Sequence, residues 1–175
     1  MHNLELQIRP VRTDEAEKLL LFAESVFRHA FEHLNEPDHF EAYMSEAYTL
    51  PQFQAELANP QSAFFFALLG DEIAGYIKLN WGTSQTELQD QPGLELQRIY
   101  VNTELQGKKI GQALLNHCIQ FGKERAFPFL WLGVWEKNEA AQRFYQRHGF
   151  LHFDSHTFMV GTDAQTDLLM KLTLK

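Results

Sequence analysis

The segment QGKKIG, residues 106–111, places two glycines and two lysines where a predicted strand gives way to a predicted helix. The first turn of a helix leaves backbone N–H groups unpaired, and with the positive helix end they favour an anion such as phosphate. A P-loop does not match, because Gly111 is followed by Gln112 and Ala113, and Lys109 stands at the second glycine of G-x-G-x-x-G. The segment predicts either another kind of anion site or a turn that uses glycine for its backbone geometry.

A second segment, NEAAQRFYQRHGF, begins at Asn138 and carries a phenol two turns into a predicted helix. Asparagine is a favoured helix N-cap, and Ala141 and Tyr145 fall on one face of that helix. Tyr145 is a candidate proton donor, or else a core tyrosine packed with Phe144 and Phe150.

Length and composition narrow the class of protein. The 175 residues fit one domain, 1–175, and no apolar run approaches the roughly 18 residues of a membrane span. A single cysteine and the absence of a secretion signal predict a cytoplasmic location without a disulfide. The net charge of −8 argues against nucleic acid and suits a cationic partner, or serves only solubility. A homodimer is compatible with the sequence.

The elements that position these segments follow from hydrophobic periodicity. Alternating and β-rich runs predict strands at 4–9, 62–69, 73–81, 94–101, 127–134, 149–160 and 167–174. Helical spacing predicts a helix capped by Thr13 and ending near Phe31, a broken helix reopened by Pro37, and helices at 51–57, 110–126 and 138–148. Helices between strands imply crossovers, some parallel pairing and a mixed α/β layer fold.

Together, the two segments resemble motifs of the GCN5-related N-acetyltransferase (GNAT) superfamily. Its phosphate-binding motif reads (Arg/Gln)-x-x-Gly-x-(Gly/Ala); here Gln106 and Gly111 match, and Lys109 replaces the usual glycine. Its later motif, Asn-x-x-Ala-x-x-Φ-Tyr-x-x-x-Gly-Phe, is matched in full by Asn138, Ala141, Phe144, Tyr145, Gly149 and Phe150. The segments LQRIYV, WLGVWE, EAYMSEAY and HTFMVGTDAQTDLLMK are similar to the PaiA-type subgroup, whose members are linked to polyamine acetylation.

The resemblance implies a mostly antiparallel central sheet with helices on both faces, in which a parallel strand pair splays apart to form an acetyl-CoA groove. It implies acetyl-CoA as co-substrate, with the pyrophosphate on backbone amides and the pantetheine running beside a strand as an added strand. The implied cofactor-binding residues are Ile99, Tyr100, Val101, Gln106, Gly107, Lys108, Lys109, Ile110, Gly111, Gln112, Asn138, Ala141 and Tyr145.

The implied reaction is direct attack of a primary amine on the thioester. Such amines have a pKa of about 10.4, so a base must take a proton at pH 7. Glu95 lies where some superfamily members carry a glutamate that acts directly or through water; Glu72 and Glu136 are rivals, and a solvent-facing Glu95 is the structural alternative. Tyr145, with a phenol pKa of about 10, stays protonated and can give its proton to the leaving sulfur.

Three further features leave alternatives open. If position 109 needs a positive φ, a lysine there destabilises the fold by roughly 1–2 kcal/mol. Alternatively, the Lys109 side chain donates to phosphate, as the Lys108 side chain could. His117 and Cys118 fall on an apolar helix face, which favours core packing over a Cys-His nucleophile pair; covalent transfer through Cys118 is the minor mechanism. The histidines show no metal-ligand spacing, so no metal is expected.

The segment from Phe27 to Tyr48 should line the acceptor side of the groove, as the early helices do in the superfamily. Its acidic residues could attract a polycation or form a solvated helix face; they are Glu32, Glu36, Asp38 and Glu41. We therefore predict an acetyl-CoA-dependent N-acetyltransferase for a small-molecule amine such as spermidine or spermine. Protein or peptide amines, or an acyl-CoA-binding regulatory module with little turnover, are the alternatives. The negative charge disfavours a DNA-binding regulator.

Overall fold

A computed structural model describes residues 5–175, which form seven strands and five helices joined by short one-turn helices and loops. In chain order the elements are β1 (Leu6–Pro10), α1 (Ala16–Phe31), α2 (Pro37–Ala47), α3 (Leu50–Ala58), β2 (Ser62–Leu69), β3 (Glu72–Trp81), β4 (Leu94–Val101), α4 (Ile110–Glu124), β5 (Phe129–Trp135), α5 (Glu139–Arg147), β6 (Leu151–Val160) and β7 (Asp163–Thr173). This is the predicted order of elements.

The strands form one seven-stranded sheet in the order β1-β2-β3-β4-β5-β7-β6. Every neighbouring pair is antiparallel except β4 and β5, which are parallel. The parallel pair is short, because only Leu94 and Glu95 of β4 pair with Leu130 and Trp131 of β5. The predicted fold, mostly antiparallel with one splayed parallel pair, is confirmed.

Helices cover both faces of the sheet and bury a separate apolar cluster on each. Helices α4 and α5 pack on one face over a cluster that includes Leu114, Leu132 and Phe150. Helices α1, α2 and α3 pack on the other face over an aromatic cluster around Phe27 and Tyr76. Strand β4 contributes side chains to both clusters, because neighbouring side chains of a strand point to opposite faces of the sheet.

Local signals explain most helix starts. The Glu36 side chain accepts a hydrogen bond from the His39 amide and precedes Pro37 at the start of α2, and Thr49 accepts from the Gln52 amide in front of α3. The predicted N-cap at Thr13 is wrong, since a one-turn 3-10 helix at Thr13–Glu15 precedes α1 and the Thr13 side chain caps nothing.

Several strand ends differ from the sequence-based ones, and the starts of two strands differ for a clear local reason. Strand β5 begins at Phe129 rather than residue 127, because Pro128 has no N–H to give to a ladder. Strand β7 begins at Asp163 rather than Asp167, because a tight turn at Gly161 pairs β6 directly with a polar stretch that sequence patterning assigned to a loop. Residue 4 of the first predicted strand lies outside the described residues.

Among the helices of residues 5–175, none combines the length and apolar character that a membrane crossing requires.

Candidate active site

A cavity of about 920 Å³ opens where β4 and β5 diverge. Its lining comes from both strands, from the start of α4, from α5, and from α1 and the β6-β7 hairpin. The divergence has a local cause: a β-bulge at Gln97 shifts the register of β4 against β3, immediately after the last residue pair with β5. A bulge bends the strand that carries it, and here the bend directs β4 away from β5.

The strand edges that face each other across the cavity carry free backbone groups. Within the described part of the chain, β4 makes no ladder toward β5 after Glu95, and β5 makes none toward β4 after Trp131. Ile99, Tyr100 and Val101 of β4 all line the cavity. An extended ligand with amide groups could therefore hydrogen-bond to these edges as an added strand.

The segment 106–111 forms one end of the cavity and leads into α4. The amides of Ile110, Gly111 and Gln112 belong to the first turn of α4, where no carbonyl inside the helix is available to them. All three residues line the cavity, as do Gln106 and Gly107. This geometry fits an anionic group such as a diphosphate, because the donors and the positive helix end act together.

Lys109 is the helix N-cap and has a left-handed backbone, with φ of 60° and ψ of 21°. It lines the cavity, whereas Lys108 is exposed and is not among the cavity-lining residues of the described chain. The φ of Gly107 is also positive, at 85°. A carbon atom added at Gly107 would contact nothing within 4 Å, so this glycine is required by its conformation rather than by crowding.

Tyr145 projects from α5 into the cavity wall and is 7% exposed. Its ring packs edge-on against Phe144 and Phe150. Burial raises the pKa of the phenol above its usual value, so the hydroxyl is protonated at neutral pH. Within residues 5–175 the hydroxyl has no hydrogen-bond partner, although it is not sealed from the cavity. Tyr145 is thus both a packed residue and an available proton donor, and the two interpretations are compatible.

Asn138 caps its own helix, because its side-chain oxygen accepts a hydrogen bond of 3.2 Å from the Ala141 amide. Both residues also line the cavity. The cap fixes the start of α5 and thereby the position of Tyr145 two turns later.

Glu95 is 3% exposed and lines the cavity, so the solvent-facing alternative is wrong. Its carboxylate accepts hydrogen bonds from the amide and hydroxyl of Thr86 and from the side-chain amide of Asn80. Burial raises its pKa, although these hydrogen bonds oppose the rise. A buried carboxylate with a raised pKa is a stronger base than an exposed one, and this one lies at the point where the two strands separate.

The end of the cavity formed by α1, α2 and the β6-β7 hairpin is aromatic and carries carboxylates. Phe27, Phe31, Tyr43 and Tyr48 from the first helices form part of its wall, as the sequence predicts for that segment. The acidic residues of the same segment do not line it: Glu32 and Glu41 pair with Arg28 on the surface.

Three ionisable residues at this end were missed by the sequence analysis. Glu87 comes from the loop between β3 and β4, His156 from β6 and Asp167 from β7, and all three line the cavity. Glu87 lies in a polar loop, whereas His156 and Asp167 both lie in the segment HTFMVGTDAQTDLLMK, to which the sequence analysis assigned a subgroup similarity but no site residue. A further signal was Asp167 itself, the carboxylate that begins the mainly apolar run DLLMKL.

A buried ion cluster joins β4 to α3, and its member Arg98 also lines the cavity. Glu56 of α3 accepts from Arg98 at 2.9 Å and from Lys78 at 3.0 Å. Lys78 is only 6% exposed, and this burial lowers the pKa of its ammonium group to about 8. The shared carboxylate ties α3 to two strands.

Other candidates from the sequence lie away from the cavity. Cys118 is fully buried, and burial raises its thiol pKa, which opposes formation of the thiolate that a nucleophile needs. His117 packs against Phe65. Among the described residues, the cavity lining includes neither Glu72 nor Glu136. No group of three His, Cys, Asp or Glu within residues 5–175 is arranged to hold a metal ion.

Comparisons with known proteins agree with this geometry. A family model for the Acetyltransferase (GNAT) family matches residues 28–150. An uncharacterized N-acetyltransferase from the pepI 3′ region of Lactobacillus delbrueckii subsp. lactis is 33% identical over 97% of this chain and 98% of its own. A spermidine N(1)-acetyltransferase of Thermoplasma acidophilum is 23% identical over 84% of this chain and 89% of its own.

Solved structures share the fold. The crystal structure of a PaiA N-acetyltransferase from Thermoplasma acidophilum in complex with coenzyme A superposes with a TM-score of 0.78 and 22% identity, over 97% of this chain and 99% of the other. At this level of identity the likeness concerns the fold alone.

Proposed function

This chain belongs to the Acetyltransferase (GNAT) family, and from that premise we propose that it transfers the acetyl group of acetyl-CoA to a primary amine, with polyamines such as spermidine and spermine as the preferred acceptors. One observation carries the proposal: a single cavity joins the amide-lined first turn of α4, two free strand edges, and the side chains of Tyr145 and Glu95. The polyamine assignment is supported by the spermidine N(1)-acetyltransferase relative and by the acidic, aromatic acceptor end.

Acetyl-CoA supplies a thioester whose carbonyl carbon an amine can attack. In our proposal the α4 turn holds the diphosphate, and the edge of β4 from Ile99 to Val101 holds the pantetheine amides. These contacts place the thioester where β4 and β5 separate. The chain binds its co-substrate mainly through backbone groups, which explains why a lysine is tolerated at position 109.

Two side chains handle the protons. Glu95 takes a proton from the acceptor ammonium, directly or through water, and so frees the lone pair that attacks the acetyl carbon. The Tyr145 hydroxyl gives its proton to the sulfur as the carbon–sulfur bond breaks, so that coenzyme A leaves as a thiol. The second proton that the nitrogen loses as the amide forms restores the Tyr145 hydroxyl, and the proton held by Glu95 passes to solvent. Burial keeps Tyr145 protonated until then. The products are an N-acetylated amine and free coenzyme A.

The decisive experiment incubates the protein with acetyl-CoA and a panel of amines and follows thiol release. We expect turnover of spermidine or spermine and little turnover of peptide amines. Turnover of peptides alone would transfer the assignment to protein amines. Acetyl-CoA binding without turnover of any amine would favour a regulatory acyl-CoA-binding module.

Replacing Tyr145 with phenylalanine tests the assigned proton donor. The ring and its packing remain while the hydroxyl is lost, so we expect kcat to fall by about 10²- to 10⁴-fold, the usual contribution of a general acid, with the melting temperature nearly unchanged. The matched control is Tyr43→Phe, which removes a hydroxyl from the acceptor wall, away from the sulfur. Full activity of Tyr145→Phe would refute the role.

A further inference from the structure

Glu87, His156 and Asp167 form a compact cluster at the acceptor end of the cavity. The imidazole lies between the two carboxylates: its Nδ1 is 2.6 Å from Glu87 Oε1 and its Nε2 is 3.6 Å from Asp167 Oδ2. His156 and Asp167 face each other directly across β6 and β7. Three separate elements thus bring their charges to one point of the wall, and we call this group the Glu87–His156–Asp167 cluster.

The cluster carries more negative than positive charge. Even with a protonated imidazole, two carboxylates leave a net charge of −1. The Asp167 side chain is only 16% exposed, and the imidazole of His156, with Nε2 3.6 Å from Oδ2, is the partner that faces its carboxylate. Burial raises its pKa, with His156 opposing the rise. A largely buried carboxylate whose partner lies at 3.6 Å is stabilised further when a cation contacts it at hydrogen-bonding distance.

The space beside that carboxylate is open because β5 has a glycine there. A carbon atom added at Gly133 would lie 3.5 Å from Asp167 Oδ2. Gly133 itself lines the cavity, and aromatic rings of Phe31, Trp135 and Phe158 line it nearby. A carboxylate beside aromatic faces and a vacant side-chain position suits an ammonium group, which both carboxylates and rings attract.

This ammonium is not the nitrogen that reacts. A carboxylate pair stabilises the charged form of a bound amine and so removes the lone pair that must attack the thioester. Glu95 differs, because it is a single carboxylate whose Oε2 already accepts two hydrogen bonds, whereas Oε1 accepts one and keeps a lone pair that can take a proton. The reacting nitrogen therefore belongs near Glu95, and the cluster suits a nitrogen that stays protonated.

We propose that the Glu87–His156–Asp167 cluster binds a second, unreacting cationic nitrogen of the acceptor and so selects diamines and longer polyamines over monoamines. This inference rests on the proposed function for the position of the reacting nitrogen. It assigns selectivity to residues on a loop and a hairpin, outside the elements that hold the acetyl donor.

Binding of three probes of similar length tests the proposal. Calorimetry in 0.15 M salt, with the protein saturated by coenzyme A, compares butane-1,4-diamine, butylamine and 4-aminobutanoate. We expect the diamine to bind about tenfold or more tightly than butylamine, the effect of one charge-assisted contact, and 4-aminobutanoate to bind most weakly. Equal affinities for the diamine and butylamine would overturn the proposal.

Variants locate the effect. Asp167→Asn should bring the diamine-to-butylamine affinity ratio down toward one. Glu87→Gln, in a loop and partly exposed, should lower it several-fold and serves if Asp167→Asn does not fold. The control Asp154→Asn removes one exposed carboxylate of β6, which changes net charge equally, and should keep the wild-type ratio. A fall of the ratio in Asp154→Asn as large as in Asp167→Asn would show that only overall charge matters.

The two proposals fail in different ways. A diamine preference that disappears in Asp167→Asn, without turnover of any amine, would retain the cluster assignment and refute the transferase. Turnover of diamines and monoamines with equal efficiency would retain the transferase and refute the cluster assignment.

Discussion

Lys109 combines a conformational cost with a charge at the same position. Its φ of 60° is a region that residues other than glycine enter at a cost of roughly 1–2 kcal/mol. The residue also lines the cavity at the end where unpaired amides favour an anion. The lysine therefore offers an ammonium group to a phosphate at this end. In return the chain keeps a backbone strain that a glycine would remove.

Lys109→Gly separates the two effects. Relief of the left-handed strain exceeds the entropy that glycine adds to the unfolded chain, so we expect unfolding free energy to rise by about 0–1 kcal/mol in urea titrations. Acetyl-CoA affinity should fall no more than about tenfold, chiefly at low salt, since one cation is lost while the amides remain. Lys108→Gly is the matched control and should change affinity less. Complete loss of binding by calorimetry would contradict a backbone-dominated site.

The sequence allowed some site residues to be predicted because their geometry is local. Asn138, Ala141 and Tyr145 share one helix, and the 106–111 turn sits at one strand-to-helix junction, so spacing alone brings them together. Glu87, His156 and Asp167 meet only through the β3-β4 loop and the β6-β7 pairing. No spacing within one element encodes that meeting, so sequence reasoning attributed the acceptor charge to surface residues of α2 instead.

At the scale of elements, the loop between β3 and β4 is organised by one buried glutamine. Gln85 is 1% exposed; its oxygen accepts from the Trp131 indole at 2.7 Å, and its amide donates to the carbonyls of Leu88 and Gln91 at 3.1 Å. The next residues along the loop, Thr86 and Glu87, contact Glu95 and the cluster. Gln85 is not itself among the described residues that line the cavity, but it fixes the loop that carries Thr86 and Glu87 to the cavity.

Gln85→Leu should destabilise the protein and loosen this loop. It leaves a buried indole N–H without an acceptor, a loss of about 1–3 kcal/mol in unfolding free energy. The Trp131→Phe variant and the double variant complete a double-mutant cycle measured by urea unfolding. The double variant should lose less unfolding free energy than the sum of the two single losses, because both partners of the hydrogen bond are then absent. Gln120→Leu, at an exposed glutamine of α4, should have little effect. Strictly additive losses would contradict the coupling.

Elements with a clear and continuous apolar pattern were predicted from sequence nearly to the residue. Strand β2 has its predicted bounds, Ser62–Leu69, because apolar residues fill almost every position. The start of β7 was missed because its first four residues, DAQT, are polar and pair only with β6, at the edge of the sheet. Pairing at the edge of the sheet produces no clear hydrophobic pattern in the sequence, whereas burial between helix layers produces one.

At the scale of the whole molecule, acid sensitivity should arise where β1 joins the first helix. Arg9 holds Glu15 with two hydrogen bonds of 2.8 Å, and the Arg12 amide adds a third. The Arg9 hydrogen bonds are the main reason that the pKa of Glu15 falls from 4.5 to about 2. A folded-state pKa below the unfolded value contributes stability above about pH 5, which is lost as the pH falls toward 2.

Glu15→Gln should remove that contribution. We expect unfolding free energy at pH 7 to fall by about 1–2 kcal/mol, a modest figure because Arg9 is partly exposed and its charge is screened. The gap from wild type should narrow as urea titrations move from pH 5 to pH 3. Asp14→Asn, which changes an exposed pair with Arg12, is the control and should match wild type. A gap that stays constant with pH would refute the linkage.

The whole sheet consists of two antiparallel blocks. One contains β1, β2, β3 and β4, the other contains β5, β7 and β6, and two residue pairs of one parallel ladder join them. Backbone groups beyond that joint face a cleft wide enough for an extended ligand. If acetyl-CoA lies there as proposed, it acts as an eighth, borrowed strand that bridges the blocks. Each turnover then removes and replaces a piece of secondary structure, so that co-substrate exchange is also a change in how complete the fold is.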